Sequence, residues 1–138
     1  MNFDWAHRWI KSFAESPEKG ASFYADEFLF EDIPFGARIT DKAELKEAFG
    51  MFANTDPSNP IGIHVFEVER YTGSSDNGVV NWVWHARHLR EFAGLTLSGE
   101  EMVIHGMSSH EYKNGKIVRE CTFSDIIAVM MRQLGHFQ

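Results

Sequence analysis

Apolar positions along the chain change their period twice. From Phe3 to Ala14 they recur at helical spacing, with Phe3, Ala6, Trp9-Ile10 and Phe13 on one face, so the pattern predicts an amphipathic helix. Ser16-Pro17 reads as an N-cap followed by proline at the first helical position. The helix it opens carries Ala21, Phe23 and Tyr24 and ends near Asp26. FLFEDIPFG (28–36) is short, aromatic and closed by Pro and Gly, a strand running into a loop. Asp41 with Glu44 three residues later is a capping-box-like start, and Leu45, Ala48, Phe49 and Phe52 form the buried stripe of a third helix. NTDPSNP (54–60) is a loop, because two prolines and two asparagines stop any helix.

After residue 60 the period becomes two. IHVFEVERY (63–71), VVNWVWHARHLR (79–90), EMVIHGMSSHEY (101–112) and KIVRECTFS (116–124) read as strands. SSDNG (74–78) and Asn114-Gly115 supply turns between them, the second a strong hairpin signal. Beyond Ser124 the apolar run IIAVMM is helical again, and Asp125 stands at the joint. Helices first and a meander of long strands afterwards define an α+β fold, with helices on one face of a curved, mostly antiparallel sheet.

At 138 residues the chain is one domain, 1–138, long enough for a real core without staples. Twelve Phe and four Trp point to a wide apolar interior or a lined cavity. The formal net charge of −7 and the absence of any basic run argue against nucleic acid. The single cysteine, Cys121, permits no intrachain disulfide and no multi-cysteine zinc site, which fits a reducing cytoplasm. The N-terminal residues form neither a secretory signal nor a membrane span. The seven histidines show no helical pair at metal-ligand spacing, and no Gly-rich phosphate loop occurs, so neither metal nor cofactor is expected.

Several residues can carry acid/base chemistry. Asp125, between Phe123 and Ile126-Ile127, would be partly desolvated and its pKa raised toward working pH; the competing reading is a helix N-cap. A two-residue turn at Asn114-Gly115 sets His110 opposite Arg119, too far along the ladder to meet Asp125, and His105 opposite Ser124. A bulge at Gly106 would turn His105 toward Asp125; otherwise it is a solvated histidine. His88 shares strand parity with Trp82 and Trp84, which read as pocket wall or core. Asp32 is a candidate to orient water or a substrate hydroxyl, or a turn residue before Ile33-Pro34. Tyr24 is either a hydroxyl donor at the pocket mouth or a helix core residue, and Phe35 a lining side chain.

YADEFLFEDIPFG followed by a capped helix, HLREFAGLTLSG (88–99), NGKIVRECTFSD (114–125) and the closing QLG (133–135) together resemble the SnoaL-like polyketide cyclase branch of the nuclear transport factor 2-like superfamily. Arg90, Leu97 and Cys121 stand where that branch usually has Gly, Pro and Trp. The resemblance implies a cone: three N-terminal helices close a strongly curved sheet over an apolar pocket, and two copies pair through the sheet. It implies Asp125 as general base, by its distance from Gly115-Lys116-Ile117, His88 as a match to the family's His before Glu-Phe, and Asp32 as a pocket-lining polar residue; His88 or His105 would stabilise the oxyanion. The expected function is a cofactor-independent aldol-type cyclisation, isomerisation or hydration of a small apolar carbonyl compound. The alternatives are a non-catalytic ligand-binding module and a structural dimer with a collapsed cavity, since fold alone does not set function.

Overall fold

The computed structural model describes residues 1–135. Helix α1 (Phe3–Glu15) begins at Asn2, whose side-chain oxygen accepts the Trp5 N–H at 2.9 Å, and it buries Trp5, Ala6, Trp9, Ile10 and Phe13. Ser16 caps helix α2 (Pro17–Ala21) by accepting the Lys19 N–H at 3.0 Å. This helix is shorter than the periodicity predicts. Ser22 closes it, its hydroxyl donating to the Lys19 carbonyl at 2.6 Å, and Tyr24 opens strand β1 (Tyr24–Asp32). Tyr24 pairs there with Ile117 of the last strand, a contact no helical continuation offers and one that suits an aromatic residue. A turn over Ile33–Gly36 leads to β2 (Ala37–Ile39), then to α3 (Lys42–Phe49) with Asp41 accepting the Glu44 N–H at 3.0 Å, and to one 3-10 turn (Gly50–Ala53). Leu45 and Phe49 of the predicted stripe are buried and Phe52 half-buried, whereas Ala48 is exposed.

Strands β3 (Ile63–Gly73), β4 (Asn77–Arg87), β7 (Met102–Lys113) and β8 (Lys116–Ser124) form the meander, with a small hairpin, β5 (Glu91–Phe92) and β6 (Leu95–Thr96), inserted before β7. Helix α4 (Ile126–Gln133) follows β8. The six-stranded sheet runs β2-β1-β8-β7-β4-β3, antiparallel except where β1 lies parallel to β8. The architecture is the expected one: N-terminal helices on a large curved sheet, with the aromatic core between them. Both two-residue turns have a positive φ at each central position, Ala93-Gly94 and Asn114-Gly115, the conformation that matches strand twist in a tight hairpin. Among the described residues no helix is long and apolar enough to cross a membrane.

Two irregularities decide which side chains enter the core. On β8, Ile117 faces Tyr112 but Arg119 faces Glu111, leaving Val118 as an extra residue. An extra residue reverses the alternation beyond it, so Glu120 and Thr122 are buried while Phe123 is 47% exposed. On β3, Val68 faces Trp82 and Arg70 faces Asn81, leaving Glu69 extra. The inward set therefore passes from Phe66 and Val68 to Tyr71 rather than to Arg70.

Candidate active site

A cavity of about 230 Å³ lies between the helices and the concave sheet face. Trp9 and Phe13 of α1, Phe49 and Phe52, and Phe66, Trp82 and Trp84 of the sheet wall it, and Phe35 and Phe92 stand 5.5 Å apart, ring to ring, on the same lining. Trp82 can lie flat across β7 because its cross-strand partner is Gly106. A Cβ at that position would fall inside the indole ring. Among the described residues the polar side chains on the lining are Asp32, Ser108, Glu120, Thr122 and Ser124, with no Lys, Arg or His.

Glu120 is the centre of a buried hydrogen-bond cluster. Its Oε1 accepts from the Tyr24 hydroxyl at 2.5 Å and lies 3.2 Å from His110 Nε2. Its Oε2 accepts from Thr122 Oγ1 at 2.6 Å and from Ser108 Oγ at 3.4 Å. The Trp9 indole N–H donates to Tyr24 Oη at 3.3 Å and the Trp82 indole N–H to Ser108 Oγ at 3.0 Å. Burial, and then the charge of Glu120, hold the Tyr24 phenol well above its ordinary pKa, so it remains a donor.

Asp32 ends β1 beside this cluster and is half-buried, with Oδ1 buried and without a partner. Burial raises its pKa to about 6, opposed by a backbone hydrogen bond from Phe35 and reinforced by the charge of Glu120. Behind the aromatic wall, His64 accepts the Trp84 indole N–H on Nδ1 at 3.0 Å, which places the proton of the neutral ring on Nε2. Burial depresses this imidazole to about 4, with the Ile61 backbone opposing the shift, yet Nε2 makes no hydrogen bond of normal geometry. His64 thus holds Trp84 in orientation as a neutral ring.

The residues singled out from the sequence are distributed differently from expectation. Trp82, Trp84, Phe35 and Asp32 line the cavity. Tyr24 is buried behind the lining with its hydroxyl on Glu120, in a strand rather than a helix. Asp125 lies outside the cavity and is exposed, because the extra residue on β8 turns positions 120, 122 and 124 inward. Its carboxylate does not cap α4; Oδ1 accepts the backbone N–H of His105 at 2.9 Å. His105 therefore meets Asp125 through the main chain, while its exposed imidazole sits 3.5 Å from Glu69. His88 has left the strand that carries Trp82 and Trp84: β4 ends at Arg87, His88 has φ 57° and is exposed, and Leu89 is buried in its place. His110 faces Glu120, one position on from the predicted Arg119. Cys121 is half-buried on the outer face. Sequence reasoning missed Glu120, Ser108 and Thr122. The available signal was an acid at an alternating position of β8, but strict period two assigned it outward.

The chain is matched by family and by fold. The chain belongs to the SnoaL-like polyketide cyclase family, whose model matches residues 6–134. Among solved structures it is similar to TsrD from Streptomyces laurentii, at 15% identity over 94% of this chain and 91% of that one, with a TM-score of 0.73. It is also similar to IdmH from Streptomyces antibioticus, a proposed polyketide cyclase, at 18% identity, 93% and 94% coverage and a TM-score of 0.68. A third similar structure is a Catenulispora acidiphila protein with a ketosteroid isomerase-like fold, solved with trimethylamine, at 11% identity, 93% and 89% coverage and a TM-score of 0.72. At these identities the likeness is one of fold. No curated protein matches the chain in sequence.

Proposed function

We propose that the protein is a small acid/base enzyme of cyclase or isomerase type, acting on an uncharged, largely apolar carbonyl compound held in the aromatic cavity. The observation that carries this reading is Asp32: a half-buried carboxyl in a cavity wall otherwise built from aromatic and aliphatic side chains, hydroxyls and one further acid. A carboxyl whose pKa sits at about 6 exchanges protons near neutral pH. It is suited to removing a proton from a carbon beside a carbonyl, or to returning one. Two acids and no cation among the described residues of the lining make the site unfavourable for a carboxylate or phosphate ligand, whose charge would be desolvated without a partner. With a bound ketone, Asp32 would work on the carbon acid, beside the Ser108 and Thr122 hydroxyls that donate to Glu120.

The test is a neutral probe against an anionic one of similar shape. Quenching of the cavity tryptophans should show β-tetralone binding at least about tenfold tighter than naphthoate at pH 8, a difference of about 1.4 kcal/mol. Bound β-tetralone should also take up deuterium at its α-carbons faster than in buffer alone. Binding without exchange would leave a ligand-binding module, and preference for naphthoate would remove the reading altogether.

We also propose that the outer sheet face seats a second copy of this chain. Met107 and Phe123 are cross-strand partners, 42% and 47% exposed, and Val103 and Ile127 are exposed alongside them, an apolar centre with charged residues around it of the kind that marks an interface. Sedimentation should show a dimer that Phe123→Lys converts to monomer; a monomeric native protein would refute the pairing.

A further inference from the structure

Glu120 is joined to a second chain of hydrogen bonds that runs away from the cavity. His110 Nε2 lies 3.2 Å from Glu120 Oε1, His110 Nδ1 lies 3.0 Å from Tyr112 Oη, and Tyr112 Oη lies 3.1 Å from Tyr71 Oη. His110 and Tyr112 are buried, and Tyr71, on the edge strand β3, is half-buried. Trp5 covers the chain, its ring 5.9 Å from His110 and 5.1 Å from Tyr112, and Trp9 stacks edge-on against His110 at 4.6 Å. Of the side chains in the series, Tyr71 is the one that is partly exposed.

Three independent features of the backbone assemble this chain. The extra residue on β8 turns Glu120 inward, and the extra residue on β3 turns Tyr71 inward. The third is Gly78, which lies opposite His110 on β4. A Cβ there would sit 2.5 Å from Tyr71 Oη and 2.8 Å from Tyr112 Oη, so the two hydroxyls meet in the space a side chain would fill. A core that needed only apolar filling would require none of the three.

We infer that Tyr71, Tyr112 and His110 form a proton relay by which Glu120, at the cavity, exchanges protons with solvent at the other end of β4 from Phe92. The inference rests on the cavity being an acid/base site and says how that site is reset while a ligand fills it. One proton enters from water at the Tyr71 hydroxyl as that hydroxyl passes its own to Tyr112. Tyr112 passes one to His110 Nδ1, and His110 Nε2–H passes one to Glu120 Oε1. The net change is one proton from solvent to the carboxylate, with hydroxide left to the bulk; each relay group keeps its charge, and His110 is left as its Nδ1–H tautomer until the reverse transfer restores it. Burial, then the hydrogen bond with Tyr71, raise the Tyr112 phenol pKa, so the link carries hydroxyl protons and not a resident phenolate. These three are relay and positioning residues; none touches the ligand.

The experiment follows exchange of the His110 ring protons with water by nitrogen-edited NMR of histidine-labelled protein. Tyr71→Phe should slow that exchange by roughly tenfold, and Tyr112→Phe should do the same should the first variant not fold. A purely structural role has the opposite sign, because loosening a buried cluster opens the ring to water and accelerates exchange. Unchanged or faster exchange in the folded variant overturns the relay. Because no ligand is needed, this outcome is separate from the binding and deuterium-uptake tests that judge the acid/base reading itself.

Discussion

Asp32→Asn is expected to remove nearly all catalysed α-proton exchange and, at the same time, to make the protein more stable at neutral pH. The loss follows from the role: an amide cannot take a proton from carbon, and general acid/base groups contribute about 10²–10⁴-fold. The gain follows from linkage. Burial raises the pKa of Asp32 in the folded state from 3.8 to about 6. The folded protein therefore binds more protons than the unfolded chain between about pH 4 and pH 6, and its stability falls as pH rises through that window. Above it the ionised carboxylate carries its full desolvation penalty, about 1–2 kcal/mol once discounted for the partial exposure of the group. The variant should match the wild type in stability near pH 4 and exceed it by that margin at pH 7.5, measured by urea unfolding at both pH values. Exchange by the wild type should rise with pH through about 6. A variant that is inactive and also less stable at pH 7.5 would mean that Asp32 is held by partners that compensate its burial.

Glu120→Ala should be among the most destabilising single changes in the molecule. It strips acceptors from the Tyr24 hydroxyl, His110 Nε2 and the Thr122 hydroxyl at once, all of them buried. Each buried donor left without an acceptor keeps its desolvation penalty, about 1–3 kcal/mol, so the three together cost about 3 kcal/mol or more. For a domain of this size that lowers the melting temperature by roughly 10 °C or more. Glu120→Gln keeps one carbonyl acceptor and should cost less. Combining Glu120→Ala with Tyr24→Phe should cost less than the sum of the two, since the phenol is one of the orphaned donors. A loss below about 1 kcal/mol for Glu120→Ala would show that water replaces the carboxylate in its hydrogen bonds.

Most of the element order was legible from residue pattern. The caps at Ser16 and Asp41, the helical stripe of α1, the Asn114-Gly115 turn and the four long strands are local signals, and they fall where the sequence places them except that Phe3 is exposed with Trp5 buried instead, and β4 ends at Arg87. Trp82 and Trp84 were legible as an inward pair for the same reason: no irregularity falls between them on β4. Asp125 and Glu120 exchange places because of Val118 alone. A strand read at strict period two gives one inward set, and a single extra residue gives the other. His88 misleads similarly, since a φ of 57° takes it out of the strand whose parity it was assigned.

The sequence by itself determined the fold class, the aromatic interior and the family, because propensity, capping and alternation act over a few residues and add up along the chain. Only the tertiary structure decided which acids face the cavity. That choice depends on how β8 registers against β7 and β3 against β4, through the extra residues Val118 and Glu69. A bulge is chosen by the packing of both strands together, with Gly78 and Gly106 making room across the sheet, and it has no signature in either strand alone.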